Sequence, residues 1–194
     1  MKNENKINGH DLMNIGIFGA IYFVILFVVA MLGMIPIFLP LLSVLVPIIG
    51  SIPFMLFLTK VKKPGMIFIM AVIMGLLMLF TGMGLWPMLT SVIAGLIAEI
   101  VYKSGNYSSA KKAVVAYGFF SLWIFGNYLP LFTDREQYFA QRAGLGQAYA
   151  DAVAQLMPNW MAIVLLISCF ICGILGGLLG QKVLHKHFEK AGLI

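Results

Sequence analysis

The stretch from Leu12 to Gly33 carries no charged side chain. At 1.5 Å per residue, a helix over these residues is long enough to cross a hydrocarbon core of about 30 Å. We therefore predict a transmembrane helix. Within it, Gly16, Gly19 and Ala20 are small, and Gly16 and Ala20 lie four residues apart on one helical face. This small-xxx-small pattern predicts close approach of a second helix, from this chain or from a partner.

The composition extends this prediction to the whole chain. Of the 194 residues, 61% are hydrophobic and only 10% are charged, whereas a soluble domain has about 25% charged residues. We expect an all-α integral membrane protein with one domain, residues 1–194. The polar N-terminus leads into an apolar span without a small-residue cleavage site, so we expect the first span to be retained.

Six apolar spans can be distinguished, separated by proline, glycine and lysine-containing turns. A longer polar stretch, residues 133–158, has apolar residues at roughly helical spacing, which predicts interfacial helices or a structured lid. We call it the cover segment. The predicted spans are about 12–33, 41–59, 66–80, 88–102, 113–132 and 159–180.

The basic residues predict the topology. With six spans, all the lysines fall on one side of the membrane, and Arg135 and Arg142 fall on the other. By the positive-inside rule, both termini of this multi-pass membrane protein are expected in the cytoplasm. The same rule explains the net charge of +6 without a nucleic-acid partner.

The chain lacks the motifs of common catalytic sites. It has no phosphate-binding GxxxxGK[ST] sequence, no HExxH and no GxSxG. Cys169 and Cys172 lie within an apolar span without nearby metal-ligating residues, which favours packing over metal binding. We therefore expect no enzymatic activity, no cofactor and no metal.

Amphipathic side chains cluster at the outer ends of several spans. An outward-facing cup of aromatic and amide groups there could bind a small ligand, whereas an interfacial aromatic belt is the alternative. Asn127 is the strongest candidate because an amide within a span is costly without a partner. A methionine-lined site at Met83, Met88, Met157 and Met161 is a further alternative. The predicted ligand contacts are Trp86, Trp123, Asn127, Tyr128, Asn159 and Trp160.

Two further patterns leave their roles open. Glu99 lies near the inner end of span four, where pairing with Lys103, snorkelling to the interface, or proton coupling could explain it. Span six contains overlapping GxxxG patterns at Gly173, Gly176, Gly177 and Gly180, which permit close contact with an internal helix or a partner helix.

Several segments together resemble a known family. These are the opening DLMNIGIFGAIYFVILFVVAMLG, the TGMGLW turn, FSLWIFGNYLP, the ADAVAQLMPNWM segment and the ending GGLLGQKVLHKHFEKAGLI. They resemble the Trep_Strep proteins, also called MptD-type substrate-binding (S) components of energy-coupling factor (ECF) transporters.

This resemblance implies a six-helix subunit that captures a scarce, vitamin-like micronutrient outside the cell. Its partners would be a transmembrane coupling protein and two cytosolic ATPases, and Gly16, Gly19 and Ala20 would form the docking groove. Two alternatives remain: a stand-alone secondary transporter with Glu99 coupling protons, and a structural or assembly protein. The ligand could be a pyridoxine-like or pyrimidine-like heterocycle, a nucleobase or haem.

Overall fold

The computed structural model describes residues 6–185, and within that range the chain forms α-helices and short 3-10 segments without a strand. A 3-10 turn, Met31–Met34, follows the first helix, and two more 3-10 segments, Ser121–Asn127 and Ala143–Leu145, interrupt the second half. The α-helices are α1 (Gly9–Ala30), α2 (Phe38–Leu58), α3 (Met66–Phe80), α4 (Leu85–Lys103), α5 (Ala110–Phe120), α6 (Leu129–Thr133), α7 (Arg135–Ala140), α8 (Gln147–Leu156) and α9 (Met161–Val183).

Four stretches of the described chain are helical, long and apolar enough to cross a membrane, namely Gly9–Met34, α2, α4 and α9. The apolar α3 is shorter, and its bounds coincide with the predicted span 66–80. Span five differs most from its prediction because α5 ends at Phe120. Six membrane crossings therefore remain a prediction.

Four helices, α1, α2, α4 and α5, begin three residues earlier than predicted, and local chemistry bears on two of these starts. Asn8 caps α1 by accepting a hydrogen bond from the Asp11 backbone N–H, and the Asp11 carboxylate accepts one from Asn8 in return. This capping box starts the helix at Gly9. In α4, Pro87 lies in the first turn, where a helical N–H has no intrahelical partner, so the proline is tolerated there.

The glycines of α9 pack against helices of the same chain. A Cβ atom at Gly176 would lie 2.6 Å from the Pro47 carbonyl oxygen of α2, and one at Gly173 would lie 2.9 Å from the Gly118 Cα of α5. A Cβ atom at Gly177 would lie 3.3 Å from the Val114 Cα. The GxxxG patterns thus bring α9 close to both α2 and α5.

The predicted helix over residues 113–132 is wrong in its second half. After Phe120 the backbone continues as the 3-10 segment Ser121–Asn127. Two side-chain hydroxyl groups donate to carbonyl oxygens at this point: Ser121 to Tyr117, and Thr90 to Trp123. Such bonds compete with helical backbone bonding and bend helices, and Gly126 allows α4 to approach closely.

The end of the bundle that carries Lys60, Lys62 and Lys63 is called the lysine-rich end. There Glu99 caps a helix, whereas pairing with Lys103 was one of the explanations considered from the sequence. The Glu99 carboxylate accepts hydrogen bonds from the backbone N–H groups of Ile67 and Phe68 at 3.0 and 3.3 Å, and from the Tyr107 hydroxyl at 2.7 Å. Gly65, which precedes α3, has no side chain with which to cap the helix. Buried Glu99 therefore satisfies the start of α3 from α4.

Candidate functional site

A cavity of about 370 Å³ lies at the opposite end of the bundle from the lysine-rich turns. It is lined by the ends of α1, α2 and α3, the 3-10 segments, and part of the cover segment. Its volume falls in the range typical of small-molecule sites. The lining residues are Phe23, Leu26, Phe27, Ala30, Met31, Gly33, Met34, Leu39, Leu42, Val46, Met74, Met78, Thr81, Met83, Trp123, Ile124, Asn127, Tyr128, Tyr138, Arg142, Leu145 and Tyr149.

Three of the six predicted ligand residues line this cavity. Trp123, Asn127 and Tyr128 come from the 3-10 segment Ser121–Asn127 and the residue after it. The segment's tight turn brings these neighbouring residues to the same cavity. They form one aromatic and amide wall.

The other three predicted ligand residues do not line it. Trp86 is 42% exposed at the start of α4, and Trp160 is 64% exposed just before α9. Asn159 is exposed beside Trp160. Exposed tryptophans at helix ends match the aromatic-belt alternative considered from the sequence.

The cover segment closes one side of the cavity. Tyr138, Arg142, Leu145 and Tyr149 all lie on the cavity lining. The Tyr149 hydroxyl donates to the Gly33 carbonyl oxygen at 2.7 Å, which ties α8 to the turn after α1. Arg142 Nη2 lies 3.6 Å from the Met83 sulfur in the turn between α3 and α4. The segment therefore forms a structured lid over the cavity.

Hydrogen bonds from Arg135 hold the cover segment in shape. Arg135 donates from Nε to the Leu131 carbonyl oxygen and from Nη2 to the Met157 carbonyl oxygen, at 3.2 and 2.7 Å. The bond to Met157 joins the two ends of the cover segment, and the bond to Leu131 ties the segment to α6. Arg135 is not part of the cavity lining.

Most hydroxyl and indole donors on the cavity wall already have protein acceptors. Trp123 Nε1 donates to the Tyr22 hydroxyl at 3.2 Å, and the Tyr128 hydroxyl donates to the Leu39 carbonyl oxygen at 3.0 Å. Burial raises the pKa of Tyr149 to about 12, so its hydroxyl stays a donor at neutral pH. These groups hold the wall in place.

Sequence reasoning missed several lining residues. Met31, Met34, Met74 and Met78 line the cavity, whereas Met83 alone does so among the methionines predicted to form a site. Methionines are common within apolar spans, so their identity alone carries little information about a site. Arg142 offered a better signal, because the chain has only two arginines, both in the cover segment.

The predicted docking residues on α1 face different surroundings. Gly16 and Ala20 are exposed, and a Cβ atom at Gly16 would meet no atom within 4 Å. Gly19 is buried, where a Cβ atom would lie 3.5 Å from the Met74 methyl group of α3. Gly16 and Ala20 therefore form an open small-residue strip on the outside of the bundle, while Gly19 packs inside it.

The described residues offer no obvious metal centre. Residues 6–185 contain no group of three or more His, Cys, Asp or Glu side chains placed to hold a metal ion. Cys169 is buried and Cys172 half-buried within α9, and both thiols are free.

Comparison with protein families identifies a match that covers nearly the whole chain. Residues 9–190 match the model of a family described as a hypothetical bacterial integral membrane protein (Trep_Strep). No curated protein and no solved structure matches the chain.

Proposed function

The chain belongs to the Trep_Strep family of bacterial integral membrane proteins, and from this premise we propose that it is the substrate-capture subunit of an ATP-driven ECF importer. It binds a small organic micronutrient at the outer face of the plasma membrane. A separate transmembrane coupling protein and two cytosolic ATPases then supply the energy for inward delivery. The protein itself performs no catalysis.

The lidded cavity carries this proposal. It combines apolar and aromatic walls with a few polar groups, as small-molecule sites do. It lies away from the turns that hold Lys60, Lys62 and Lys63, which the positive-inside rule assigns to the cytoplasm. A pocket in that position is suited to capture from outside the cell.

The open strip on α1 supports the docking part of the proposal. Gly16 and Ala20 leave a shallow groove among exposed apolar side chains, including Ile17 and Val24. Helices associate in membranes through such small-residue surfaces because their backbones can approach closely. The coupling protein would contact the chain there.

The test is co-purification from cells that express the tagged chain with its host's coupling protein and ATPase pair. We expect the four chains to elute together in mild detergent. The double variant Gly16→Leu/Ala20→Leu should lose the complex while melting like the wild type, because both positions are exposed. Val164→Leu, at a position that is 44% exposed on α9 and therefore outside the strip, is the matched control and should retain the complex.

A chain that elutes alone and drives uptake into vesicles without ATP would refute the importer proposal in favour of the secondary transporter. A chain for which neither assembly nor ligand binding can be measured would favour the structural or assembly role.

A further inference from the structure

We propose that the ligand of the cavity is an amphipathic monoanion: an apolar body carrying a single carboxylate, which pairs with Arg142. This inference deepens the proposed function and rests on it, because it takes the cavity to be the capture site. It differs from the flat heterocycles suggested by the sequence, for which aromatic and amide groups were the expected contacts. Asn127 provides the one amide side chain on the cavity lining.

The apolar body follows from the wall. Methionine, leucine and aromatic side chains make up most of the lining, and no Asp or Glu side chain is among the described residues that form it. A strongly hydrated ligand would lose its water in such a cavity without recovering equivalent hydrogen bonds. Apolar groups gain by entering it.

The polar groups of the wall offer little for a neutral polar ligand. The donors of Trp123, Tyr128 and Tyr149 are directed to protein oxygens, as described above. The Thr81 hydroxyl donates to the Met78 carbonyl oxygen at 2.9 Å. Asn127 Nδ2 donates to the Ile124 carbonyl oxygen at 3.1 Å. A ligand that required many donors would compete with bonds that hold the wall together.

Arg142 differs from these groups because, among the described residues that line the cavity, it carries the one positive charge and also retains unused donors. Its guanidinium lies 3.8 Å from the centroid of the Tyr138 ring, and Nη1 donates to the Tyr138 carbonyl oxygen at 3.2 Å. Nη2 has only the Met83 sulfur, a weak acceptor, at 3.6 Å. In the part of the chain that the structure describes, Lys63 and Asp11 form the one ion pair, so Arg142 has no carboxylate partner there.

The chemistry of a guanidinium selects the anion. A guanidinium presents paired N–H groups that match a carboxylate in a bidentate contact. One positive charge on the wall balances one negative charge, whereas a phosphate brings more charge and a larger hydration cost. A cationic ligand would face Arg142 without a compensating acid. A monocarboxylate fits these constraints best.

The experiment compares three probes that share a skeleton: 4-phenylbutyrate, 4-phenylbutyramide and 4-phenylbutylamine. Binding to the full chain in phosphatidylcholine nanodiscs is measured by calorimetry, with empty nanodiscs as the blank. We expect the carboxylate to bind at least about tenfold more tightly than the amide, as for hydrogen bonds to a charged group. The amine should bind most weakly.

Variants test whether Arg142 causes the preference for the carboxylate over the amide. Arg142→Gln should reduce the carboxylate-to-amide ratio to about one, and Arg142→Lys should retain part of it. Lys103→Gln is the matched control, because it also removes one positive charge but lies at an exposed position of α4 outside the cavity lining. Melting of each variant without probe verifies that it is folded.

Equal binding of amide and carboxylate, an undiminished preference in Arg142→Gln, or a failure of all three probes to bind would each overturn the inference. Co-purification with the coupling protein is independent of these results. A chain that assembles but prefers the amide refutes the anion and leaves the importer intact. A chain that prefers the carboxylate but never assembles refutes the importer alone.

Discussion

At the lysine-rich end, α3 begins against a carboxylate supplied by α4, whereas at the cavity end the helices give way to 3-10 turns and to short helices of the cover segment. The first arrangement joins neighbouring helices through Glu99 and through the 2.6 Å ion pair between Lys63 and Asp11. The second leaves a cavity that few bonds close, such as the one from Tyr149 to Gly33. We therefore expect one end of the bundle to be fixed and the other to open.

From this difference we expect ligand binding at the cavity end and a larger contribution to fold stability from the lysine-rich end. Local opening occurs where few buried contacts and hydrogen bonds must be broken. The cover segment meets this description, because α7 and α8 are short and much of their surface is exposed. We therefore expect ligand exchange at the cavity end without loosening of the lysine-rich end.

The largest effect should come from Glu99→Ala. The change leaves the Ile67 and Phe68 N–H groups and the Tyr107 hydroxyl without their acceptor, so we expect the free energy of unfolding to fall by about 2–4 kcal/mol. Denaturant or thermal melting in nanodiscs measures it. Lys103→Ala, at an exposed position on the same helix, should change stability little.

A second substitution at Glu99 distinguishes a helix cap from a proton-coupling residue. Glu99→Gln keeps an oxygen acceptor for α3 but cannot carry a proton. If uptake persists in this variant, Glu99 acts as a cap. If uptake is abolished while melting is unchanged, the proton-coupled alternative is favoured and the fixed end is part of the transport machinery.

A smaller loss of stability is expected from Gly126→Ala, which tests how tightly the cavity wall is held. A Cβ atom there would lie 2.7 Å from the Pro87 Cα and would also meet the Thr90 hydroxyl. Because backbone cannot move aside easily, we expect a loss of about 1–3 kcal/mol, measured by melting.

Gly144→Ala is the matched control for Gly126→Ala, since a Cβ atom at Gly144 would meet no atom within 4 Å. Equal melting temperatures of the two alanine variants would show that the cavity wall accommodates the extra atom. The wall would then be no more tightly packed than the cover segment, against our expectation.

The smallest effect should be local. Tyr149→Phe removes the hydrogen bond to Gly33, worth about 1 kcal/mol, so the cover segment should open more often while global melting barely changes. Hydrogen exchange resolved to residues 135–156 measures this opening. Tyr102→Phe removes a long 3.4 Å bond to Leu58 at the other end of the bundle and is the control. Faster exchange of the cover segment in both variants would contradict the prediction that the cavity end opens independently of the lysine-rich end.

The apolar pattern allowed the helices to be predicted, with errors where side chains act on the backbone. The run 66–80 is bounded by Pro64–Gly65 and by Thr81–Gly82, so its ends could be placed correctly. The end of α5 could not, because it depends on hydroxyl groups whose acceptors are known only from the structure.

Part of the cavity lining could also be predicted from residue type and position within a span. Asn127 could be selected as an amide inside a span, and its neighbours Trp123 and Tyr128 follow from proximity in sequence. Trp86 and Trp160 resemble them in residue type but lie outside the cavity. Whether an aromatic residue at a helix end faces a cavity or the membrane interface depends on how the helices pack, and a single sequence does not record that packing.

The 3-10 segment Ser121–Asn127 also sets the sensitivity of the cavity to changes in chain length. Three residues complete each turn, so Ile124 and Asn127 stack in one column, while Trp123 and Gly126 stack in the next. Inserting or deleting one residue before Trp123 would rotate these columns by about a third of a turn. A side chain, that of Phe125 after an insertion or of Asn127 after a deletion, would then occupy the place of Gly126 against Pro87. We therefore expect an insertion or deletion here to disturb the cavity more than a single substitution does.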